Sequence, residues 1–200
     1  MAMTNPYASL SDVKAALRIP NADTIDDALL ESAIESASRL IDGYASRSFY
    51  SAGTAVRLFV AEDDYYCPID DAVTVTKVET SSKADGVWDI TWAETDFQVE
   101  PLNGRVDGLT WPTYGLRAID NYLFPTVGQQ ATVRVTGIWG WSAVPIQIKQ
   151  ATVIQASRIF KRLDSPLGII SGEYGAFRVG TRLDPDVSML VDPFKIIRMA

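Results

Sequence analysis

Residues 145–164 read PIQIKQATVIQASRIFKRLD, and the fold turns on this stretch. Its apolar residues recur at the three-to-four spacing of a helix stripe, which predicts one long amphipathic helix. Pro145 is expected at its first position, where a missing N–H costs nothing, and Ser165-Pro166-Leu167-Gly168 closes it. A glycine-punctuated loop, GIISGEYGAFRVG at 168–180, follows, and then a short segment, Leu183 to Phe194. There Asp184 before Pro185 and an apolar run is the pattern of a helix N-cap. A long helix, an adaptable loop and a short helix with a free tail are parts for assembly. They do not make a catalytic centre.

Working back from this helix, Ser9-Leu10-Ser11-Asp12 precedes a short helical run, VKAALRI, that ends at Pro20-Asn21. A second helix is predicted over 25–47. Leu30, Ile34, Ala37, Ile41 and Tyr44 form its stripe, and Asp26, Asp27 and Glu31 lie near its positive end. From about Ser51 the period changes. Ala55–Val60, Val73–Val78, Asp89–Trp92, Phe97–Glu100 and Ala131–Thr136 read as strands, and Asp85-Gly86, Asn103-Gly104 and Asp107-Gly108 lie between them as turns. The helices on either side are individually marginal in water and are expected to pack on one another. The expected class is α+β: a small helical bundle, residues 1–53 plus 141–200, with a β-rich insertion at 54–140.

Composition removes several functions. The chain has no histidine, so it lacks the commonest general base and metal ligand. Its one cysteine, Cys67, cannot form an internal disulfide and has no histidine to activate it. No metal, cofactor or catalytic residue is expected. The N-terminus lacks the charged and apolar pattern of a signal peptide, and no apolar run approaches membrane-spanning length, which points to a soluble protein. The net charge of −7 is uneven: residues 1–53 carry −3, 54–140 carry −7 and 141–200 carry +3. An acidic middle disfavours binding along DNA, whereas the basic end suits an acidic partner.

The remaining candidate sites have simpler readings. Asp63-Asp64 and Asp70-Asp71 flank a turn-like Tyr65-Tyr66-Cys67-Pro68, and adjacent strand residues point to opposite faces, so neither pair converges. The spread of Gly168, Gly172, Gly175 and Gly180, with no Lys-Ser/Thr after them, does not make a phosphate loop. Trp88, Trp92, Trp111, Tyr114, Tyr122, Phe124 and Trp139 read first as core of a small β-domain and second as a protein interface. They also support an alternative function, a binding module whose insert stacks on carbohydrate or a cell-surface polymer. A carboxylate-dependent hydrolase ranks last.

Two helical regions carry a family resemblance. They are Leu10–Leu17 with Asp26–Ile34 and Leu40–Asp42, then Val144-Pro145 opening a helix that ends in Arg158–Gly168, and the terminal Leu183–Phe194. In these parts, about half its length, the chain resembles the head–tail connector, or adaptor, proteins of long-tailed bacteriophages. The large strand insert departs from the family's compact members. The resemblance implies a structural virion protein, not an enzyme, made in the host cytoplasm and located in the neck. It implies a twelve-subunit ring beneath the portal that extends the DNA channel and meets a downstream stopper or tail-completion protein. DNA would pass without sequence-specific binding, and no membrane would be involved. Phe194, Lys195, Ile196, Ile197 and Arg198 are expected to form a portal-docking tail, leaving four large apolar side chains, with Met199, uncovered. Ile169, Ile170, Tyr174, Phe177 and Arg178 are expected at the subunit interface, and Asp184, Pro185 and Pro145 as helix caps.

Overall fold

Ser9 starts the first helix through a reciprocal cap. Its hydroxyl accepts from the Asp12 amide at 3.2 Å, and the Asp12 carboxylate accepts from the Ser9 amide at 2.9 Å. The Ser9 hydroxyl also donates to the Asp12 carboxylate, and this bond, with the one from the Ser9 amide, holds the Asp12 carboxyl down at about 2; the cap stabilises the helix end by about 1 kcal/mol. The fold was analysed as a computed structural model, which describes residues 3–162, 169–172, 175–178 and 183–196, with backbone only at 169–172 and 175–178. Along the chain come α1 (Leu10–Leu17), α2 (Asp27–Ala45), β1 (Ser51–Phe59), β2 (Tyr66–Thr80), β3 (Ile90–Trp92) and β4 (Phe97–Glu100). Then follow β5 (Arg105–Val106), β6 (Leu109–Thr110), β7 (Thr113–Ala118), β8 (Val133–Gly140), α3 (Ile146–Lys161), β9 (Ile169–Gly172), β10 (Gly175–Arg178) and α4 (Pro185–Val191). The protein is α+β. Its contacts divide it into Met1–Phe49 with Val144–Ala200, and Tyr50–Ala143.

In the helical unit α2 buries Leu30, Ala33, Ile34, Ala37, Ser38, Ile41 and Ala45. The stripe ends on Ala45, not on Tyr44, which stays half-buried. Ala156 of α3 closes against this row beside Val13 of α1. Small residues on both helices let them approach closely. Buried Ser38 is fully used: it donates to the Ile34 carbonyl at 2.8 Å and accepts from the Tyr7 amide at 3.1 Å. Lys14 is buried too, and its ammonium is held by the Asp23 carbonyl at 2.6 Å and by the Asp27 carboxylate. Lys149 ties α3 to α1 through Asp12 at 3.0 Å. Pro145 is the N-cap residue of α3, one place before the first helical position expected for it.

The strand unit is an antiparallel sheet in the order β1-β8-β2-β7-β4, with β3 also pairing β2. Strand β2 is long because it serves three neighbours: Tyr66–Pro68 and Ala72 pair with β7, Ala72–Thr80 with β8 and Val78–Thr80 with β3. The register shifts between Pro68 and Ala72, where the proline supplies no ladder N–H. The expected turn at Tyr65–Pro68 is therefore wrong, because Tyr66–Pro68 belong to β2. Trp139, Val133 and Val135 of β8 meet Cys67, Ala72 and Val78 of β2 in the core, with Leu116 of β7 and Phe124. Gly140 lies at φ +96°, and a Cβ there would sit 1.9 Å from the Tyr50 carbonyl oxygen, so only glycine fits.

Candidate assembly surfaces

Asp184 caps α4, accepting from the Asp186 amide at 3.0 Å with Pro185 at the first helical turn. Its other oxygen accepts from Arg158 of α3 at 2.7 Å, so the cap also pins α4 to the bundle. As far as Ile196, the chain beyond stays on the bundle. Phe194 is 1% exposed and packs edge-on against Phe49 at 5.8 Å, and Phe49 packs edge-on against Tyr7. The Ile196 amide donates to the Ala45 carbonyl at 2.9 Å, and Tyr44 donates to Asp192 at 2.6 Å. Phe194, expected in the docking tail, is buried in this subunit, where its ring completes the core. Lys195 is exposed, with its ammonium 4.4 Å from the centre of the Tyr44 ring, and Ile196 is half-buried. Ile197 and Arg198 lie outside the described residues.

The stretch expected to be loop contains an antiparallel hairpin. Ile169 and Ile170 of β9 pair with Arg178 and Phe177 of β10. Tyr174 lies outside the described residues.

A groove of about 460 Å³ runs beside the second half of α2. Arg39, Leu40, Gly43 and Tyr44 line it from α2, with Gln155, Arg158, Ile159, Arg162 and Leu183 opposite. Arg39 is held by the Thr4 and Asn5 carbonyls at 3.2 and 3.1 Å and by Asp42 at 2.9 Å. Asp42 also accepts from the Tyr7 hydroxyl. Burial raises the Asp42 carboxyl above its ordinary range, with Tyr7 and Arg39 acting the other way. Burial first, and then Asp42, push the Tyr7 phenol up. Sequence reading missed this groove, although Arg158 and Arg162 stand four apart, on one helix face.

In the strand unit the acidic pairs are spent on structure. Asp63 accepts from the Tyr65 and Tyr66 amides, both at 2.7 Å, and Asp64 accepts from Thr126 at 3.1 Å. Asp70 pairs with Arg57 at 2.7 Å, and Asp71 accepts from the Trp141 indole at 2.9 Å. Among the described residues no group of three or more His, Cys, Asp or Glu is placed to hold a metal ion. Burial pushes the Cys67 thiol up to about 12, far from a reactive thiolate. Of the seven aromatics, Trp92, Phe124 and Trp139 are core, with Trp92 stacked on Phe124 at 4.5 Å. Trp88 covers Arg134 at 4.8 Å, and Arg134 grips Glu79 through two bonds of 2.9 and 2.7 Å. The aromatics therefore do not share one stacking platform. Among the described residues no helix is long and apolar enough to cross a membrane.

Residues 7–77 match the family described as phage gp6-like head-tail connector protein. Over that span the chain is similar to head-tail connector proteins. The matched span takes in α1, α2, β1 and most of β2, so the family pattern runs from the helices into the strands. The whole fold also recurs in solved particles. A chain in the neck of an empty GTA (gene transfer agent) particle, computed with C6 symmetry, is 17% identical. It aligns with all of this chain and 95% of its own length at a TM-score of 0.59. A chain in the neck of the native GTA particle, computed with C12 symmetry, is 18% identical over the same shares at 0.54. One in the native GTA virion is 20% identical, again over all of this chain and 95% of that one, at 0.55. These likenesses are of fold, and they include the strand unit. No curated protein sequence matches the chain.

Proposed function

We propose that the chain is a structural subunit of the neck of a phage-like particle, an adaptor that joins head to tail and works by assembly. The observation that carries this reading is the connector-family match over 7–77, on a fold shared from end to end with chains of gene-transfer-agent necks. The side-chain chemistry supports it, because the carboxylate pairs and the thiol are committed to the fold. Necks solved with C6 and C12 symmetry support a closed ring of copies around the passing DNA. Such a ring needs two different patches on each subunit. The −7 charge of residues 54–140 suits a wall that DNA passes without adhering.

In this reading the helical ends form the adaptor core, the strand unit is an insertion, and the residues from Lys195 onward, with Ile196, Ile197 and Arg198, reach the portal. Phe194 serves as the anchor that holds the tail's root in the bundle. The other face meets a downstream stopper or tail-completion protein. Mass photometry of the purified chain, alone and with portal-bearing heads, tests the proposal. Rings, or ring-sized additions to the heads, are expected. A stable monomer that ignores the heads and binds glycan overturns it. Truncation after Phe194 isolates the tail: the shortened chain keeps its helical circular dichroism but no longer joins the heads.

A further inference from the structure

We propose that the groove between α2 and α3 receives the acidic start of α2 from the next copy of the chain. This rests on the ring reading above and names its contact. The groove has an unmet demand. Gln155 is only 9% exposed, and its side-chain oxygen has no hydrogen-bond partner. Buried acceptors are nearly always paired, so this one asks for a donor from outside the subunit. The groove is also kept open. Gly43 stands in α2 at a place where helices prefer alanine, and nothing lies within 4 Å of where its Cβ would be. Arg39, Arg158 and Arg162 rim the opening and make it basic, with Arg39 also paired to Asp42 and Arg158 to Asp184. Leu40, 49% exposed, adds an apolar edge.

The other end of the same helix offers the complement. Ile25, 88% exposed, and Leu29, 49% exposed, project there beside Asp23 and Asp26. Asp26, at the N-cap and half-buried, makes no side-chain bond to the helix, so its carboxylate is not used in capping α2. From Asp26 to Leu40 is about 21 Å along the axis at the usual helical rise. Two unlike patches at opposite ends of one helix make a head-to-tail contact, the kind that propagates around a ring. In it Ile25 enters over Leu40 and Ile159, Asp26 meets the arginines, and an N–H of the entering corner satisfies Gln155.

The test uses the full chain carrying Ile25→Cys and Leu40→Cys, treated with a short bis-maleimide. The buried Cys67 stays out of the reaction. A ladder of covalent species extending past the dimer is expected for the double variant, and no species beyond the dimer for either single one. Adding Gly43→Phe fills the groove from open space without disturbing the fold and should abolish the ladder. Asp26→Arg and Arg162→Glu should each weaken it and restore it when combined. A folded double variant that gives no ladder, or one indifferent to Gly43→Phe, overturns the contact. Mass photometry of the unmodified chain separates the two ideas. Rings without a ladder leave the ring standing and remove this contact, whereas monomers without a ladder remove both.

Discussion

Replacing Phe194 by alanine distinguishes a rooted tail from a free one. The ring is 1% exposed and edge-on to Phe49, which itself has no exposed surface and meets Tyr7. Truncating a phenylalanine in such a setting costs about 3–5 kcal/mol, including the aromatic contact. With a urea slope of about 1.5 kcal/mol per molar, the unfolding midpoint of the helical unit should fall by about 2–3 M. The chain provides separate probes for its two units. All five tryptophans lie between Trp88 and Trp141, in the strand unit, whereas α1 to α4 dominate the helical circular dichroism. Phe194→Ala should therefore lower the dichroism midpoint and leave the tryptophan-fluorescence midpoint in place. A surface residue on a loose tail would change stability by no more than about 0.5 kcal/mol. A change that small would refute the packing argument and return Phe194 to the docking tail.

Gly140→Ala should act on the other unit: strain at φ +96° and the clash with the Tyr50 carbonyl cost about 1–3 kcal/mol or more, read as a lower fluorescence midpoint. An unchanged midpoint would show that the strand end relaxes freely. Ser9→Ala should cost about 1 kcal/mol at neutral pH. Because the cap lowers the Asp12 carboxyl to about 2, the stabilisation is complete above about pH 4 and is lost as pH falls towards 2. The difference between the wild type and Ser9→Ala should shrink over that window, and a constant difference would mean that the Asp12 charge takes no part. Cys67, buried with its thiol raised to about 12, should resist Ellman's reagent in the native protein and react promptly in denaturant. Fast native labelling would mean that the sheet opens readily around β2.

What the sequence determined by itself was whatever depends on local pattern. The capping grammar of Ser9 and of Asp184-Pro185, the α2 stripe from Leu30 to Ile41 and the alternation along Val73–Val78 of β2 are visible because their cause lies within a few residues. The resemblance to connector proteins came from the same punctuation, with the missing histidine already turning attention from chemistry to assembly. The tertiary structure decided where different parts of the chain meet. Thr113–Ala118 gave no clear strand signal, and it becomes β7 because β2 and β4 hold its two edges. Tyr66–Pro68 read as a turn, and the same pairing draws it into β2. Phe194 looked stranded beyond a proline, but Tyr7 and Phe49, distant in sequence, form the place that takes its ring. The groove is the same kind of fact. Gly43 and Gln155 lie more than a hundred residues apart, and neither looks unusual until α2 and α3 pack and leave one open and the other unpaired. Apolar spacing says which face of a helix turns inward, but the partner it meets there follows only from packing all the elements together.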